Sequence, residues 1–463
     1  RTRTRTHPHP HPQTPMDRRH TLAALPALAA AAAASAPGLA DDDPAARIAE
    51  AFVYGFAVHD LARTRWNATQ NPANPRRATV NAPNHVRRLL DHRARAVTAP
   101  NNDTLYTSAW LDLSGGPLTV RVPAMGRRYW SLAFMDPFTD NVACVSRRTS
   151  GGDARTLWIA PPGWTGSPPA GATPLRMPAN DLWLLGRVLV DGEDDLPAVH
   201  ALQDAIRIDA PPVSRPWGQA PGERDPRAFV AFVAEALGRN PLPDRDAALL
   251  ARAATVGLVP GDPGAFDRAG EPVRDAWTRL LPVLRTRLAT PEARFTTEVG
   301  PGWTSGADTI GRFGDDHAYR AYIALWGLGA LEREEAVYAR AETDADGRPL
   351  DGAADYALRV PADLPVGAFW SLSMYRAEPD GRAFFAENAI GRHTIGDRTP
   401  GIVRDADGAL TVRLGRRAPA DPAGRANWLP APEGRFLLAW RLYEPGAALL
   451  ERRWPLPGVL RTG

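Results

Sequence analysis

The tetrapeptide Arg-Val-Pro-Ala occurs twice in this chain, and each copy is followed by an aromatic residue and the run Trp-Ser-Leu. The first repeat covers residues 121–132 and the second covers residues 359–372. In both, apolar and polar residues alternate around a short connection that contains Gly or Pro, a pattern typical of two antiparallel strands joined as a hairpin. Because the copies match in residue identity, they predict two related β-units in one chain.

The alternation assigns side chains to opposite faces of each predicted strand. Trp130 and Trp370 share their faces with the Leu two positions later, whereas Ser131 and Ser371 lie on the other faces. Large aromatic side chains are usually interior, so we expect both tryptophans to pack in hydrophobic cores. An exposed pair of rings would instead form a platform on which sugars stack.

The length of the chain predicts more than one domain. A chain of 463 residues exceeds the size at which one core keeps growing, and 44% hydrophobic residues suffice for packed cores. The apolar period changes from two residues to helical and back to two. We predict an N-terminal β-domain with an opening helix (41–193), a helical middle domain (194–340) whose last helix covers 319–340, and a C-terminal β-domain (341–463).

Composition excludes several kinds of site. All 55 basic residues are Arg, which excludes a Schiff base or a phosphate-loop lysine. The net charge is only +3 and the body of the chain has no basic cluster, so we expect no nucleic-acid partner. Cys144 is the only cysteine, which excludes an intrachain disulfide and a cysteine-rich zinc site. We expect no metal and no cofactor.

Residues 1–40 have the pattern of a leader. After Met16, which we interpret as the initiator, come two arginines, an Ala/Leu run over 21–34 and small residues up to Ala40. These are the charged, apolar and cleavage regions of a signal peptide, and the apolar run is too short for a stable membrane anchor. The sequence predicts a periplasmic or secreted protein cleaved after Ala40, with the twin-arginine route left open.

Three longer motifs resemble a known bacterial pair of domains. They are Ala-Pro-Asn-Asn-Asp-Thr-Leu-Tyr-Thr-Ser-Ala-Trp-Leu-Asp-Leu at 99–113, Asn-Ala-Ile-Gly-Arg-His-Thr-Ile-Gly-Asp-Arg-Thr at 388–399 and Asn-Trp-Leu-Pro-Ala-Pro at 427–432. On these motifs the mature chain resembles proteins with domain of unknown function 1254 followed by domain of unknown function 1214.

The resemblance implies a multi-domain, mainly β, α+β fold. It consists of an N-terminal immunoglobulin-like β-sandwich, a helical middle domain and a C-terminal jelly-roll-like β-sandwich. It brings no established reaction and no cofactor. This chain departs from the family pattern at His393, where relatives tend to carry an aromatic residue, and at Ala57, where proline is common after Phe. The first departure weakens a site that needs an aromatic ring there.

Polar and aromatic residues near predicted strand ends are the candidate ligand-binding residues. Asn101, Asn102 and Asp103 precede a strand, where they form an Asx-type turn or face a hydroxyl-rich ligand at a sheet rim. Arg392 and Arg398 lock their own loop through a carboxylate, or receive a carboxylate or phosphate group. The full set is Asn101, Asn102, Asp103, Tyr106, Arg128, Arg392, Arg398, Asn427 and Trp428.

Four further residues are candidates for acid–base chemistry. Asp136 and Asp140 follow the first Trp-Ser-Leu run and could act as paired carboxylates, although solvated loop acids are the simpler interpretation. Asp397 could orient His393 as a general base, or both could belong to a structural ion-pair network.

These features support three classes of function. The first is an exported protein that binds a small polar or carbohydrate-like ligand in a crevice between the β-domains, because ligand sites favour domain interfaces. We expect His393 and Arg392 to line this crevice with Tyr106 and Arg128. The second is a metal-independent hydrolase or lyase with an extracytoplasmic substrate. The third is a structural protein that assembles into homo-oligomers.

Overall fold

The computed structural model describes residues 43–95 and 98–462, and the predicted leader lies outside these ranges. Helix and strand each account for about 27% of the chain, so the expectation of a mainly β protein is wrong. The molecule is a multi-sheet α+β protein with β-sheets in the N-terminal part, helices in the middle and a C-terminal sheet curled into a half-barrel.

Helices of very different length occur along the described chain, from four residues to 26. They are α1 (Pro44–Thr69), α2 (Arg147–Ser150), α3 (Leu196–Ala205), α4 (Pro226–Gly238), α5 (Ala247–Ala254), α6 (Ala265–Arg268), α7 (Glu271–Leu288), α8 (His317–Gly327), α9 (Pro422–Ala426) and α10 (Ala447–Leu450), with 3₁₀ turns at Glu193–Asp195, Asp244–Asp246 and Ala293–Phe295.

Strands lie mostly before and after the long helices. They are β1 (Asn84–His85), β2 (Thr104–Asp112), β3 (Leu118–Val122), β4 (Trp130–Met135), β5 (Asn141–Ser146), β6 (Arg155–Ala160), β7 (Ala172–Arg176), β8 (Asp181–Leu189), β9 (Arg207–Asp209), β10 (Thr296–Gly300), β11 (Trp303–Gly306), β12 (Ala336–Ala341), β13 (Tyr356–Val360), β14 (Val366–Ala377), β15 (Ala383–Phe384), β16 (Thr394–Gly396), β17 (Leu410–Gly415), β18 (Trp428–Pro430), β19 (Phe436–Pro445) and β20 (Leu460–Arg461).

The N-terminal part is a sandwich of two sheets. One sheet has the order β1-β2-β8-β4-β5, and the other has the order β7-β6-β3-β9. Apolar side chains from the facing sides, among them Leu111, Val120 and Trp130, form one buried core. Successive residues of a strand point to opposite faces, so the alternation in sequence directs these residues inward and leaves a second face of each sheet for other contacts.

The C-terminal part repeats this plan. A sheet of order β10-β11-β12-β19-β14-β15, with β16 added to β14, faces a four-stranded sheet of order β18-β17-β13-β20. Trp370 and Trp440 pack with Leu358 and Val412 in the core between them. Trp130 and Trp370 are only 1% and 4% exposed, which confirms core packing and excludes the sugar-stacking platform.

The repeated segments are not hairpins, contrary to the expectation from sequence. In the first copy, β3 pairs with β6 and β9, whereas β4 pairs with β5 and β8. In the second, β13 pairs with β17 and β20, whereas β14 pairs with β15, β16 and β19. Each copy crosses from one sheet of its sandwich to the other, so its apolar faces meet across the core. Alternation is identical in both arrangements, and therefore does not distinguish them.

The helical middle part is built around the opening helix. Asp43 caps α1 and Pro44 starts it, as their order in the sequence predicts. Phe52 of this helix packs with Phe229 of α4 and Trp277 of α7 in one buried cluster. The domain division predicted from sequence grouped α1 with the N-terminal sheets, whereas its apolar side chains pack mainly with the helices.

Strands also occur in the segment predicted to be helical. The helix expected over 319–340 ends at Gly327, and β12 begins at Ala336. β9 joins the N-terminal sandwich, while β10, β11 and β12 join the C-terminal one. The residues between α8 and β12, 328–335, form a connection that we call the strap. The residues before β2, 98–103, we call the lead loop.

Candidate ligand site between the two sandwiches

The two large sheets turn their outer faces toward each other, and the same three residue types cross each face. In each sheet a Tyr, an Arg and a Ser stand side by side on three neighbouring strands. The register of β2, β8 and β4 aligns the first set, and that of β12, β19 and β14 aligns the second. The N-terminal row is Tyr106, Arg187, Ser131, and the C-terminal row is Tyr338, Arg441, Ser371.

The C-terminal row is closed by hydrogen bonds. Arg441 donates from Nη1 to Ser373 Oγ (2.9 Å), and from Nη2 to Tyr375 Oη (2.8 Å) and to a lead-loop carbonyl (2.9 Å). Ser371 donates to Asp103 Oδ2 (2.5 Å). Burial raises the pKa of Asp103, although Arg441 and the Ser371 hydroxyl oppose the shift. The lead loop of the N-terminal part thus completes a row of the C-terminal sheet.

The N-terminal row is open by comparison. Arg187 is 5% exposed and donates from Nη2 to the Gly329 carbonyl (2.6 Å), but its Nη1 has no hydrogen-bond partner among the described residues. Its guanidinium carbon lies 5.2 Å from the centroid of the Tyr106 ring. The neighbouring Ser131 hydroxyl is buried and also lacks a partner of hydrogen-bond geometry in the described chain. Each buried polar group without a hydrogen bond costs about 1–3 kcal/mol of folding free energy. An added partner at this row would recover that free energy.

A glycine lets the strap reach this row. Gly329 has a φ of +89°, and a Cβ there would come within 3.0 Å of Leu185 Cδ2 and 3.3 Å of the Trp183 ring. Glycine adopts this backbone conformation without strain and leaves room for the close approach. The strap therefore passes directly over the sheet and places a backbone carbonyl against Arg187.

Glu335 closes the far end of the N-terminal row. It is fully buried and accepts hydrogen bonds from Tyr129 Oη (3.0 Å), Ser146 Oγ (2.9 Å) and Arg148 Nε (2.9 Å). These donors occupy its carboxylate, and its cationic partner is Arg148. Glu335 therefore provides no hydrogen bond to Nη1 of Arg187.

Solvent reaches the space beside this row. Tyr106, Tyr338 and Cys144 are half-buried although they lie between the sheets, and all three are electrostatic neighbours of Arg187. A fully packed interior would leave these side chains no accessible surface. These three side chains therefore keep some contact with solvent beside the open row.

The lead loop carries three of the residues proposed from sequence. Asn101 Oδ1 accepts the Asp103 N–H (2.6 Å) in the expected Asx-type turn, and its Nδ2 donates to Tyr443 Oη (2.7 Å). Asn102 accepts a hydrogen bond from Thr394 Oγ1 (2.6 Å). The turn interpretation is confirmed for Asn101, and these side chains also cross to the C-terminal sandwich.

Arg128 and Arg398 both have partners in the segment that follows β8, around Asp191 and Asp195. Arg128 donates to Asp195 (2.8 Å from Nη2) and to the carbonyl that ends β8 (2.7 Å). Arg398 pairs with Asp191 and lies 4.4 Å from the centroid of the Phe369 ring. Arg398 therefore ties the C-terminal loop to the N-terminal part, in addition to its longer contact with the carboxylate next to it at 3.9 Å.

Three other candidates hold C-terminal loops in place. Arg392 donates to two backbone carbonyls at 2.8 and 2.9 Å. The Asn427 amide exchanges two hydrogen bonds with the backbone of Val403 (2.9 and 2.6 Å), and Trp428 Nε1 donates to the Gly415 carbonyl (2.8 Å). These bonds satisfy backbone groups, so the side chains of Arg392, Asn427 and Trp428 have structural partners.

His393 and Asp397 are held apart. They flank the extended strand β16, which separates them by roughly 13 Å along the chain. His393 stacks on Phe385 (4.9 Å between ring centroids) and burial lowers its pKa, whereas Asp397 accepts the N–H of Trp370 (3.3 Å). The geometry does not allow Asp397 to orient His393. Because His393 and Arg392 have these separate partners, the contacts give no support to the pocket expected for them with Tyr106 and Arg128.

Asp136 and Asp140 are enclosed rather than solvated. Asp136 Oδ1 accepts the N–H groups of Phe138 (2.9 Å) and Asp140 (3.0 Å), and burial together with the Asp140 charge raises its pKa to about 7. Asp140 accepts hydrogen bonds from the Phe313 N–H (2.6 Å) and from Arg320 Nη2 (3.0 Å). The solvated-loop interpretation fails because the middle part covers the β4–β5 turn, a contact that no local pattern reports.

Further titratable groups join Asp136 and Asp140 in what we call the Asp136 cluster. Arg320 Nη1 lies 3.1 Å from His317 Nδ1, and Tyr54 donates to Asp246 Oδ2 (3.1 Å). His317 Nε2 lies 3.7 Å from Asp246 Oδ1. Arginine only donates, so His317 Nδ1 is the acceptor and its Nε2 carries the proton. Burial, followed by Arg320, lowers the pKa of His317, which favours this neutral form.

The central residues of the layer were missed from sequence. They are Tyr129, Arg187, Glu335, Tyr338, Arg441 and Tyr443. A signal existed for the arginines, because each interrupts an apolar strand, in Leu-Leu-Gly-Arg-Val-Leu and Leu-Ala-Trp-Arg-Leu-Tyr. Charged residues are rarely buried without a partner, so such an Arg in a predicted strand indicates a buried polar contact.

A separate cleft lies between α1, α4 and the N-terminal sheet. Its volume is about 30 Å³, and stacked Trp110 and Trp183 (5.1 Å between centroids) line it with Arg65 and Trp217. This is room for about two water molecules. Among residues 43–95 and 98–462, no group of three or more His, Cys, Asp or Glu could hold a metal ion. No helix within the same ranges has the length and apolar character needed to cross a membrane.

Comparison with known proteins identifies the family. Residues 80–210 match the family described as a protein of unknown function (DUF1254), and residues 335–447 match a second, described as a protein of unknown function (DUF1214). The chain belongs to the DUF1254/DUF1214 family. In this DUF1254/DUF1214 protein, the first match contains the N-terminal row and the second contains the C-terminal row.

Two solved structures are similar to this chain. The crystal structure of the VPA0106 protein from Vibrio parahaemolyticus is 24% identical and has a TM-score of 0.66, covering 91% of this chain and 100% of that chain. A putative uncharacterized protein from Burkholderia cenocepacia is 15% identical with a TM-score of 0.45, covering 96% of each chain. The first similarity establishes a shared fold. No curated protein matches the chain.

Proposed function

We propose that this protein binds a small polar ligand between its two sandwiches, at the N-terminal Tyr-Arg-Ser row. The observation that carries the proposal is the unpartnered Nη1 of buried Arg187 next to half-buried Tyr106 and Tyr338. Sites for small ligands are commonly found between domains, with a few polar groups among aromatic side chains. The row has this composition.

The row offers a ligand several hydrogen-bonding groups. Arg187 Nη1 donates, whereas the Ser131 and Tyr106 hydroxyls both donate and accept. Protein groups already occupy the corresponding positions of the C-terminal row. A ligand with two or three polar atoms would satisfy the buried groups, and this gain offsets the loss of its own hydration.

A thermal-shift screen of the purified protein against sugars, polyols, amides and organic acids tests this proposal. A ligand at one hundred times its dissociation constant stabilises the folded state by about 2.7 kcal/mol. Tyr106→Phe removes a hydroxyl at the row and should weaken binding. Tyr322→Phe is the matched control, because Tyr322 is half-buried in a different cluster. Equal effects of both substitutions, or no stabilising compound, would contradict a site at this row.

A second candidate function is acid–base catalysis at the Asp136 cluster, in a metal-independent hydrolase or lyase. The observation that favours it is the carboxyl of Asp136, with a pKa of about 7 beside Asp140 and Arg320. A carboxylic acid that titrates near neutrality can both donate and accept a proton during turnover. If turnover of an extracytoplasmic substrate is found, Asp136→Asn should abolish it. Retained turnover in that variant would exclude this role.

We also propose that the protein acts outside the cytoplasm after cleavage behind Ala40. The support is the signal-peptide pattern of residues 1–40. Expression in a bacterial host followed by N-terminal sequencing of the periplasmic fraction tests the cleavage site, and uncleaved cytoplasmic protein would contradict it. Light scattering on the purified chain tests the proposed homo-oligomer.

The finer fold assignment belongs to the same proposals. We take the N-terminal sandwich to be immunoglobulin-like and the C-terminal sandwich to be jelly-roll-like. Each half consists of two mostly antiparallel sheets packed face to face, and this packing supports both assignments. A crystal structure compared strand by strand with reference members of both folds tests the assignment.

A further inference from the structure

The two rows differ in the outer-face residues that follow the serine along its strand. Along β14, the outer residues next to Ser371 are Ser373 and Tyr375, and both bond to Arg441. The equivalent residues next to Ser131 on β4 are an alanine and a methionine, at 133 and 135. Neither side chain accepts a hydrogen bond as a hydroxyl does. The apolar pair explains why Arg187 Nη1 has no partner.

The rows also differ in charge. Arg441 faces the carboxylate of Asp103, which lowers the cost of burying its guanidinium. In the described chain, the only hydrogen bond of the Arg187 side chain is to the Gly329 carbonyl, and phenol groups, including those of Tyr106 and Tyr338, surround it. Glu335, the acid nearest to this row, is already paired with Arg148, so Arg187 has no carboxylate of its own among the described residues, and a buried cation without a counter-ion is destabilising.

We propose that the ligand of the open row is a small monocarboxylate that bonds to Arg187 as Ser373 and Tyr375 bond to Arg441. It also supplies a negative charge, because Glu335, the counterpart of Asp103, pairs with Arg148. This inference rests on the proposed function. The free Nη1 donates to one carboxylate oxygen, and the buried Ser131 hydroxyl beside it donates to the ligand as well. Guanidinium and carboxylate are matched in shape and charge.

Charge balance favours a carboxylate over a phosphate. One uncompensated cation at Arg187 is neutralised by one negative charge. A phosphate dianion would leave an excess negative charge in a low-dielectric layer that already contains Glu335 and Asp103. The half-buried Tyr106 and Tyr338 provide phenol groups for any hydroxyl that the acid carries.

Calorimetry on the full chain with acetate, lactate and benzoate tests the inference, against acetamide, lactamide and benzamide as neutral counterparts and phosphate as a dianion. We expect at least one acid to bind and its amide to bind at least tenfold more weakly. Arg187→Gln should abolish acid binding. Because that variant could lose stability, Ala133→Ser serves as the second test.

Ala133→Ser places a hydroxyl where Ser373 stands in the closed row, so that Arg187 Nη1 gains a partner within the protein. We expect at least tenfold weaker acid binding together with a higher melting temperature of the free protein. Ala439→Ser is the matched control, since Ala439 lies two residues from Arg441, whose guanidinium is already satisfied. It should leave acid binding unchanged.

The outcomes separate this inference from the proposed function. Neutral polyols or amides that bind while acids do not would overturn the monocarboxylate and leave a ligand site at the row. Phosphate binding more tightly than every acid would also overturn it. If no compound binds, the proposed function fails as well. Acid binding that Ala133→Ser and Ala439→Ser weaken equally would place the acid elsewhere and overturn the inference.

Discussion

Asp103 and Glu335 occupy equivalent positions, each three residues before the tyrosine of its own row, and each carboxylate crosses to the opposite sandwich. Asp103 accepts a hydrogen bond from Ser371 of the C-terminal sheet. Glu335 accepts hydrogen bonds from Tyr129 and Ser146 of the N-terminal sheet. The exchange is reciprocal, so each half supplies the acid that the outer face of the other half uses.

The two buried arginines should differ in their contribution to stability. Arg441→Met removes three hydrogen bonds and leaves Asp103 buried without its cation, for which we expect a loss of about 3–5 kcal/mol in the free energy of unfolding. Arg187→Met removes a guanidinium with one hydrogen bond and should cost far less. Urea unfolding of both variants measures the difference, and equal losses would contradict the contrast between the closed and open rows.

Asp136 should make the protein less stable as the pH rises. Its pKa is about 7 in the folded state and 3.8 ordinarily, so between these values the folded state binds more protons than the unfolded state. Asp136→Asn keeps the oxygen that accepts two backbone N–H groups and removes the titration. We expect equal stability near pH 4 and a gain of up to about 4 kcal/mol for the variant at pH 8.

Thermal unfolding of wild type and variant at pH 4, 6 and 8 measures this effect. Asp91→Asn is the control with the opposite sign, because the hydrogen bond from Arg93 lowers the pKa of Asp91 to about 2. That variant should show no gain at pH 8. A stability difference between Asp136→Asn and wild type that stays constant with pH would rule out the assigned titration.

Asp181 should contribute stability that is lost in acid. It pairs with Arg65 (2.8 Å) and Arg239 (2.6 Å), which join α1 and the end of α4 to β8. Burial alone would raise its pKa, but these arginines outweigh burial and hold the pKa below its usual value. A lowered pKa means that the contribution is present above about pH 4 and disappears as the pH falls through the folded-state value.

Asp181→Asn should therefore lower the free energy of unfolding by about 3–5 kcal/mol at pH 7, with a smaller loss below pH 3. Chemical unfolding at both pH values checks this. Asp267→Asn is the control, because Asp267 pairs with Arg227 at the surface and exposed pairs contribute little. An equal effect of the two substitutions at pH 7 would show that burial of the Asp181 network is unimportant.

Cys144 should react slowly with thiol reagents. Burial, with Glu335 adding to it, raises the pKa of its thiol well above the usual value, and the thiolate is the reactive form. Labelling with a disulfide reagent at pH 8 should be much slower in the native protein than in 6 M guanidinium chloride. An equal rate in both conditions would show that the layer between the sheets is freely open.

The sequence predicts which faces are buried better than which strands pair. Alternation around Trp130 and Trp370 gives both core faces correctly, because burial follows from side-chain polarity. It cannot distinguish a hairpin from a crossing between sheets, because hydrogen-bond partners leave no mark on the pattern. The helix expected over 319–340 ends early because Gly327 and Gly329 interrupt it and the following strand pairs with a distant β19.

Site residues could be predicted from the sequence only where the residue type and its place before a strand are informative on their own. Asn101 and Asp103 were found because turn residues before a strand are informative. Arg187 and Ser131 acquire their significance from register, which places them side by side on β8 and β4. The enclosure of the β4–β5 turn likewise depends on a hydrogen bond from Arg320, far along the chain, to Asp140, which no local pattern reports.

The lead loop and the strap each contact the opposite sandwich, and this exchange limits where the chain can be cut into separate fragments. A fragment that ends before the strap would keep the tyrosines and serines that bond to Glu335 but would lose Glu335 itself. A fragment that begins after the lead loop would keep Arg441 but would lose its counter-charge, Asp103. We therefore expect that neither fragment folds stably on its own. A polypeptide carrying only one of the two family regions should aggregate when it is expressed alone, whereas co-expression of the two pieces should yield a soluble heterodimer.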